Sequence, residues 1–98
     1  MMNVLVHHKV ADYPKWRRTF DASLDFRQRG GERSCRIFRS EEDDNDLTLL
    51  FEWESEELAH RYMRSAELQT KMQEAGVVGK PEITYLAEMY TVRRSAAD

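Results

Sequence analysis

The sequence predicts an α+β fold of ferredoxin-like β-α-β-β-α-β order, a four-stranded antiparallel sheet with helices on one face. Three observations predict it. Four short runs alternate apolar with polar residues, the period of half-buried strands. Two longer runs carry the three-to-four-residue period of amphipathic helices, each behind a capping residue. A single acidic cluster joins the second and third strand runs, so these two form a hairpin. Right-handed crossovers then place both helices on one side of the sheet and leave the other side bare.

The elements follow in order. The first strand, Met2–Val10, takes its β-branched and apolar density from Val4, Leu5, Val6 and Val10. Asp12 caps the first helix, and Pro14 stands in its first turn. Trp16, Phe20 and Leu24 recur every four residues, with Tyr13 and Ser23 on the same side and Arg18, Asp25 and Arg29 opposite. Gly30 and Gly31 end this helix. Residues 32–40 and 47–54 are the second and third strands. Between them Glu41, Glu42, Asp43, Asp44, Asn45 and Asp46 make a solvated turn, without the alternating ligands, glycine and distal glutamate of a calcium loop. Ser55 caps the second helix, with Glu56 and Glu57 at its positive end and Leu58, Ala59, Tyr62 and Met63 as its apolar stripe. Ser65 re-caps a further segment in which Leu68, Met72 and Ala75 face inward, and Gly76 stops it. Residues 77–80 are a linker, and Pro81 opens the last strand, 82–90. Residues 1–92 make one domain, and 93–98 a polar tail.

The chain has 98 residues, 15 Lys and Arg against 18 Asp and Glu, and a formal net charge of −3. One domain is all this length allows, which excludes an enzyme with separate cofactor and substrate lobes. A small core can ill spare the packing that a large cavity removes, unless a second copy helps to wall it. Mild acidity gives no reason to expect nucleic acid as a partner. The lone cysteine, Cys35, leaves no internal disulfide and no cysteine-rich zinc site. With no signal-like start and no membrane-length apolar run, the expected location is the cytoplasm, away from membranes.

Matching apolar residues across the hairpin sets Ile37 opposite Phe51, Cys35 opposite Trp53 and Arg39 opposite Leu49 on the helix side. The bare side then pairs Arg36 with Glu52, Phe38 with Leu50 and Ser34 with Glu54. Phe38, Leu50 and Leu86 on that side form an exposed apolar patch, and a two-fold homodimer would hide it.

Three stretches also resemble a known group: His8 to Trp16, Leu49 to Ser55, and Ala75 to Pro81. The sequence is similar there to the dimeric α+β barrel superfamily, of the antibiotic-biosynthesis-monooxygenase-like and cyclase-like type. The likeness runs from about Asn3 to Tyr90. It implies a homodimer with a pocket between sheet and helices in each subunit, and a range of reactions that includes cofactor-free oxygenation of aromatic, polyketide-like compounds. Haem-degrading members use an asparagine on the first strand, where Asn3 stands here, a tryptophan on the second helix, and a histidine that ligates the iron. Aligned positions here hold Tyr62 and Met72, so haem degradation is rejected and no cofactor is expected.

His7 and His8 are adjacent on a strand and point to opposite faces, so they cannot chelate one metal. One of them faces the pocket as a general base. His8 is the choice, because it lies in a stretch that carries the resemblance. His7 is the alternative, because His8 shares the parity of the helix-packed Val4 and Val6. Arg36 is the candidate cation for an enolate or carboxylate, and Glu52 the group that orients a histidine or a polar substrate. Tyr62, Tyr85, Phe38 and Leu50 complete the candidate binding residues. His60 is read as an exposed helix residue. The functional expectation is a small-molecule-binding homodimer, a cofactor-free monooxygenase or cyclase if it is catalytic. The alternative is a non-catalytic binding or stress-related dimer with a filled interior.

Overall fold

The computed structural model describes residues 2–95. Its elements run β1 (Met2–Val10), α1 (Tyr13–Ala22), α2 (Leu24–Arg29), β2 (Glu32–Arg39), β3 (Asp46–Trp53), α3 (Glu56–Met63), α4 (Ala66–Ala75) and β4 (Val77–Ala87). The sheet order is β2-β3-β1-β4, antiparallel throughout, with β1 in the middle between β3 and β4. This is the ferredoxin-like arrangement, with each crossover helix divided in two. Residues 93–95 of the expected tail are described; residues 96–98 lie outside the described residues.

The caps act where the sequence places them. The Asp12 side chain accepts from the Lys15 backbone N–H at 3.3 Å, Ser55 from Leu58 at 3.2 Å and Ser65 from Leu68 at 3.2 Å. The first helix differs from expectation: it breaks at Ser23. The Ser23 hydroxyl donates to the carbonyl of Thr19 at 2.8 Å, a local bond that competes with the helical ladder and bends it. Leu24 is exposed and leaves the expected stripe. Steps of four residues drift by about 40° each on a 3.6-residue helix, so Leu24 has turned away from Trp16. The inner face passes instead through Trp16, Phe20, Ser23 and Arg27.

The hairpin register is also corrected. Ile37 faces Leu49, Cys35 faces Phe51 and Arg39 faces Leu47. Arg36 therefore lies opposite Leu50 rather than Glu52, and Phe38 opposite Thr48 rather than Leu50. The slip is two residues, so every side chain keeps its face while its partner changes. A one-residue irregularity lies between Glu32 and Ser34. The last strand starts at Val77, not Pro81, and ends at Ala87. Pro81 is tolerated because β4 is an edge strand with a bulge at that point.

The acidic turn is less free than a solvated loop. Asn45 accepts the Val10 N–H on its backbone carbonyl and the Tyr13 N–H on its side chain, both at 2.9 Å. The turn thereby clamps the end of β1 to the start of α1.

The core lies between the sheet and the helices. Val4, Val6, Leu47, Leu49, Phe51 and Trp53 supply the sheet side. Trp53 donates its indole N–H to the carbonyl of Gly30 at 2.8 Å. Gly31 has φ +114°, and a Cβ there would come within 2.6 Å of the Trp53 ring nitrogen. Glycine is what lets the α2–β2 turn close over Trp53.

Candidate functional site

Between sheet and helices lies a half-open apolar cavity of about 70 Å³. The sheet side is Val6, His8, Leu49, Phe51 and Ile83. Trp16 and Phe20 of α1 form one wall, and Leu68 and Met72 of α4 another. Nearly all of this lining is hydrocarbon or aromatic carbon; the polar exceptions are His8, Thr19, Ser23, Arg27, Tyr62 and Lys71.

His8 is the most unusual of these. It is 6 % exposed, and neither ring nitrogen has a hydrogen-bond partner among the described residues. Its ring meets the Trp16 indole edge-on, with centroids 5.8 Å apart. Burial, with a smaller contribution from neighbouring His7, pushes its pKa down to about 4. The imidazole is therefore neutral at pH 7, with one donor and one acceptor unused. Each such buried group costs about 1–3 kcal/mol until something bonds to it.

A line of stacked planar groups leads away from His8. Trp16 stacks on Phe20 at 4.8 Å, and the Arg27 guanidinium lies 3.6 Å over the Phe20 ring. Arg27 donates to Glu32 at 2.6 Å and to the carbonyl of Phe20. Both side chains of the Arg27–Glu32 pair are about 95 % hidden, at 6 % and 5 % exposure. Sequence reasoning missed this pair, although Arg27 stands eleven residues, three full turns, after Trp16. Tyr62 packs between Trp53 (4.6 Å) and Phe26 (5.2 Å), and burial pushes its phenol pKa up, so it is a protonated hydroxyl at the cavity wall. Burial likewise raises the Cys35 thiol to about 12, which leaves it un-ionised near neutrality.

The other face of the sheet holds the remaining candidates. His7 bonds Asp46 at 2.6 Å and Glu82 at 3.4 Å, and those two carboxylates raise its pKa. Arg36, Phe38, Leu50 and Glu52 share that outer face and do not line the cavity. Arg36 lies 5.3 Å over Phe38, and the patch is exposed at Phe38 and Leu86. Tyr85 points to the helix side but stacks on His60 at 4.0 Å, away from the cavity. His60 is half-buried in that stack rather than exposed. Of the candidate residues, the structure brings only His8 and Tyr62 together at the cavity.

The fold is also found in solved structures. SnoaB, a cofactor-independent oxygenase from Streptomyces nogalater, matches with a TM-score of 0.76 over 95% of this chain and 97% of that chain, at 13% identity. A second match is described as an antibiotic biosynthesis monooxygenase, with a TM-score of 0.69 over 92% of this chain and 100% of that chain, at 7% identity. The fold is that of the antibiotic biosynthesis monooxygenase-like proteins. A monooxygenase from ActVA-Orf6 of Streptomyces coelicolor, solved with the ligand nanaomycin D, has the same fold, with a TM-score of 0.67 over 96% of this chain and 92% of that chain, at 19% identity. At such identities the likeness to these monooxygenase-like proteins is one of fold. No family model matches the chain, and no curated protein matches it. Among the described residues no helix is long and apolar enough to cross a membrane.

Proposed function

We propose that the chain is a small-molecule-binding homodimer that oxygenates a flat, hydroxyl-bearing aromatic compound without a cofactor. The observation that carries this reading is His8, a buried neutral imidazole with both nitrogens unpartnered at the wall of an apolar cavity. A phenol or enol supplies what the imidazole lacks, an O–H donor and an oxygen acceptor at one point. The fold neighbours described as monooxygenases support the reaction class.

The chemistry follows from the environment. His8 takes the substrate proton, and the resulting phenolate or enolate stabilises the imidazolium beside it. The anion gives one electron to O₂, and the radical pair joins as a C–O bond to a peroxide anion. His8 returns its proton to that peroxide. Loss of water from the hydroperoxide, taking the hydrogen of the attacked C–H carbon, converts that carbon into a carbonyl, so that one O₂ yields one C=O and one H₂O. The positive groups of the lining are Arg27, which Glu32 already holds at 2.6 Å, and Lys71. The dry lining keeps bulk water from protonating the carbanion.

The homodimer rests on the outer face. Phe38 and Leu86 are exposed there, and Met89, Tyr90 and Val92 beyond β4 are more than 80% exposed. Apolar surface of this kind marks an interaction site.

The test is oxygen uptake with anthrone and 1-naphthol in metal-free buffer. His8→Ala is expected to lose about 10²–10⁴-fold in rate, as for removal of a general base, with His7→Ala unchanged. Retained turnover in His8→Ala eliminates His8 as the base. One observation favours the second reading, a non-catalytic dimer with a filled interior: a cavity of about 70 Å³ is well below the ~300 Å³ of usual ligand sites. Tight binding of neither compound, with no oxygen uptake, selects that reading.

A further inference from the structure

The small cavity has a neighbour. A groove of about 220 Å³ lies on the surface between α4 and the start of β4, lined by Gln69, Met72, Gln73, Val77, Gly79 and Pro81. Met72 is the residue that borders both spaces. It is half-buried, unbranched, and set one turn after Leu68, another cavity residue.

The groove owes its shape to the backbone opposite His8. Pairing of β1 with β4 runs regularly to His7 and Glu82, then resumes at Lys9 and Val78. Gly79, Lys80 and Pro81 thus stand against the single residue His8. Gly79 takes φ +74°, which other residues rarely adopt, and Pro81 has no N–H to give a ladder bond. The bulge lifts β4 away at the one strand position whose side chain is the unpartnered imidazole. Gln69 and Gln73 follow one another by one turn on α4 and present two exposed amides to the same groove.

We infer that cavity and groove are two halves of one ligand site divided by Met72. The apolar ring of the ligand enters past Met72 to reach His8, and a polar, hydrogen-bonding arm stays in the groove against Gln69 and Gln73. This rests on the reading under Proposed function and adds the route and the second half of the ligand. Joined, the two spaces come close to the ~300 Å³ of an ordinary small-molecule site. A methionine suits the divide, because three rotatable bonds let it swing without moving the helix.

The experiment follows entry directly. Xenon needs only a dry cavity, so its exchange, read by NMR at the Val6 and Ile83 methyls, reports access whatever the true ligand is. Stopped-flow quenching of tryptophan fluorescence by 1-naphthol reports the same path for a phenol. Met72→Ala is expected to speed entry of both by roughly tenfold, equivalent to removing about 1.4 kcal/mol from the barrier. Met72→Leu keeps the side-chain volume but is stiffer, and is expected to slow entry in a chain that folds normally. Lys71→Ala, at the neighbouring lining residue that does not border the groove, is expected to change neither rate. Equal rates across the Met72 variants, acceleration by Lys71→Ala instead, or exclusion of xenon from every variant overturns the gate. Failure of 1-naphthol to bind while xenon exchange still follows Met72 overturns the oxygenase reading and leaves the gate standing. For the groove, Gln69→Leu with Gln73→Leu is expected to weaken a carboxamide of 1-naphthol about tenfold and leave 1-naphthol itself unchanged. Equal effects on the two compounds overturn the polar half-site.

Discussion

His7 and His8 are consecutive on one strand, and the two faces of the sheet treat them in opposite ways. On the outer face His7 is partly exposed, holds Asp46 and Glu82, and has a raised pKa. On the inner face His8 is buried, holds nothing, and has a pKa near 4. The same division applies to arginine. Arg36 on the outer face lies against Phe38 in water, whereas Arg27 on the inner side is locked to Glu32 out of it. Outer charges are solvated; the inner groups were taken out of water, His8 without a partner and Arg27 held by Glu32 and the Phe20 carbonyl. Groups of the second kind can do chemistry, because the field around them is not averaged by solvent.

The largest test of that contrast is to break the inner pair. Glu32→Gln leaves the Arg27 guanidinium buried without its counter-charge, and urea unfolding is expected to show a loss of about 3–5 kcal/mol. Arg27→Met combined with Glu32→Leu removes both charges and is expected to restore most of that loss. A Glu32→Gln protein as stable as the parent would mean that the pair is solvated and the inner face no different from the outer.

Next in size is the pH response of His8. Its folded pKa lies below the unfolded value of about 6.5, so between the two the unfolded chain binds more protons. Stability is then complete above about pH 6.5 and falls as the pH drops toward 4, by about 3 kcal/mol in all. Unfolding curves between pH 7 and pH 4 check this. His8→Leu is expected to remove that part of the slope, and a ligand hydrogen-bonded to the imidazole to reduce it.

How far such features were legible in the sequence depends on how local they are. Strand and helix periods are local, and so are the caps at Asp12, Ser55 and Ser65; the element order followed from them. Register is not local. A two-residue slip keeps Ile37 and Phe51 on the same face, so alternation is blind to it, and the pairing is set by the turn. The parity of Val4 and Val6 placed His8 on the helix side, and the structure puts the cavity there rather than on the bare face. Arg27 and Glu32 read as two more charges in a chain that is 34% charged, and only the fold reveals that they are buried together. Residues 77–80 read as a linker and Pro81 as the opening of the last strand, because glycine and proline signal irregular backbone without saying that pairing resumes on both sides.

On the outer face the expected effects are smaller and of another kind. Leu86→Lys puts a charge into the exposed patch with Phe38. If the patch is the dimer interface, the change weakens dimerisation by about 2 kcal/mol, roughly thirty-fold in dissociation constant. Light scattering across micromolar concentrations measures it, with the unfolding of the monomer little altered. A parent protein that is monomeric at those concentrations would refute the homodimer.

The smallest effect belongs to His7, and its sign is opposite to that of His8. Its folded pKa is raised, chiefly by the hydrogen bonds to Asp46 and Glu82, so the charged imidazole contributes stability below the unfolded pKa. That contribution disappears as the pH rises through the folded value. The side chain is 42% exposed, and solvent screening holds such pairs to about 0.5 kcal/mol. Comparing His7→Gln with the parent at pH 5.5 and pH 8.5, in low and in high salt, is expected to show a small loss at the lower pH only, diminished by salt. A loss at pH 8.5 of the size predicted for His8 would mean that the outer face also withholds water from its charges, and the distinction between the two faces would fail.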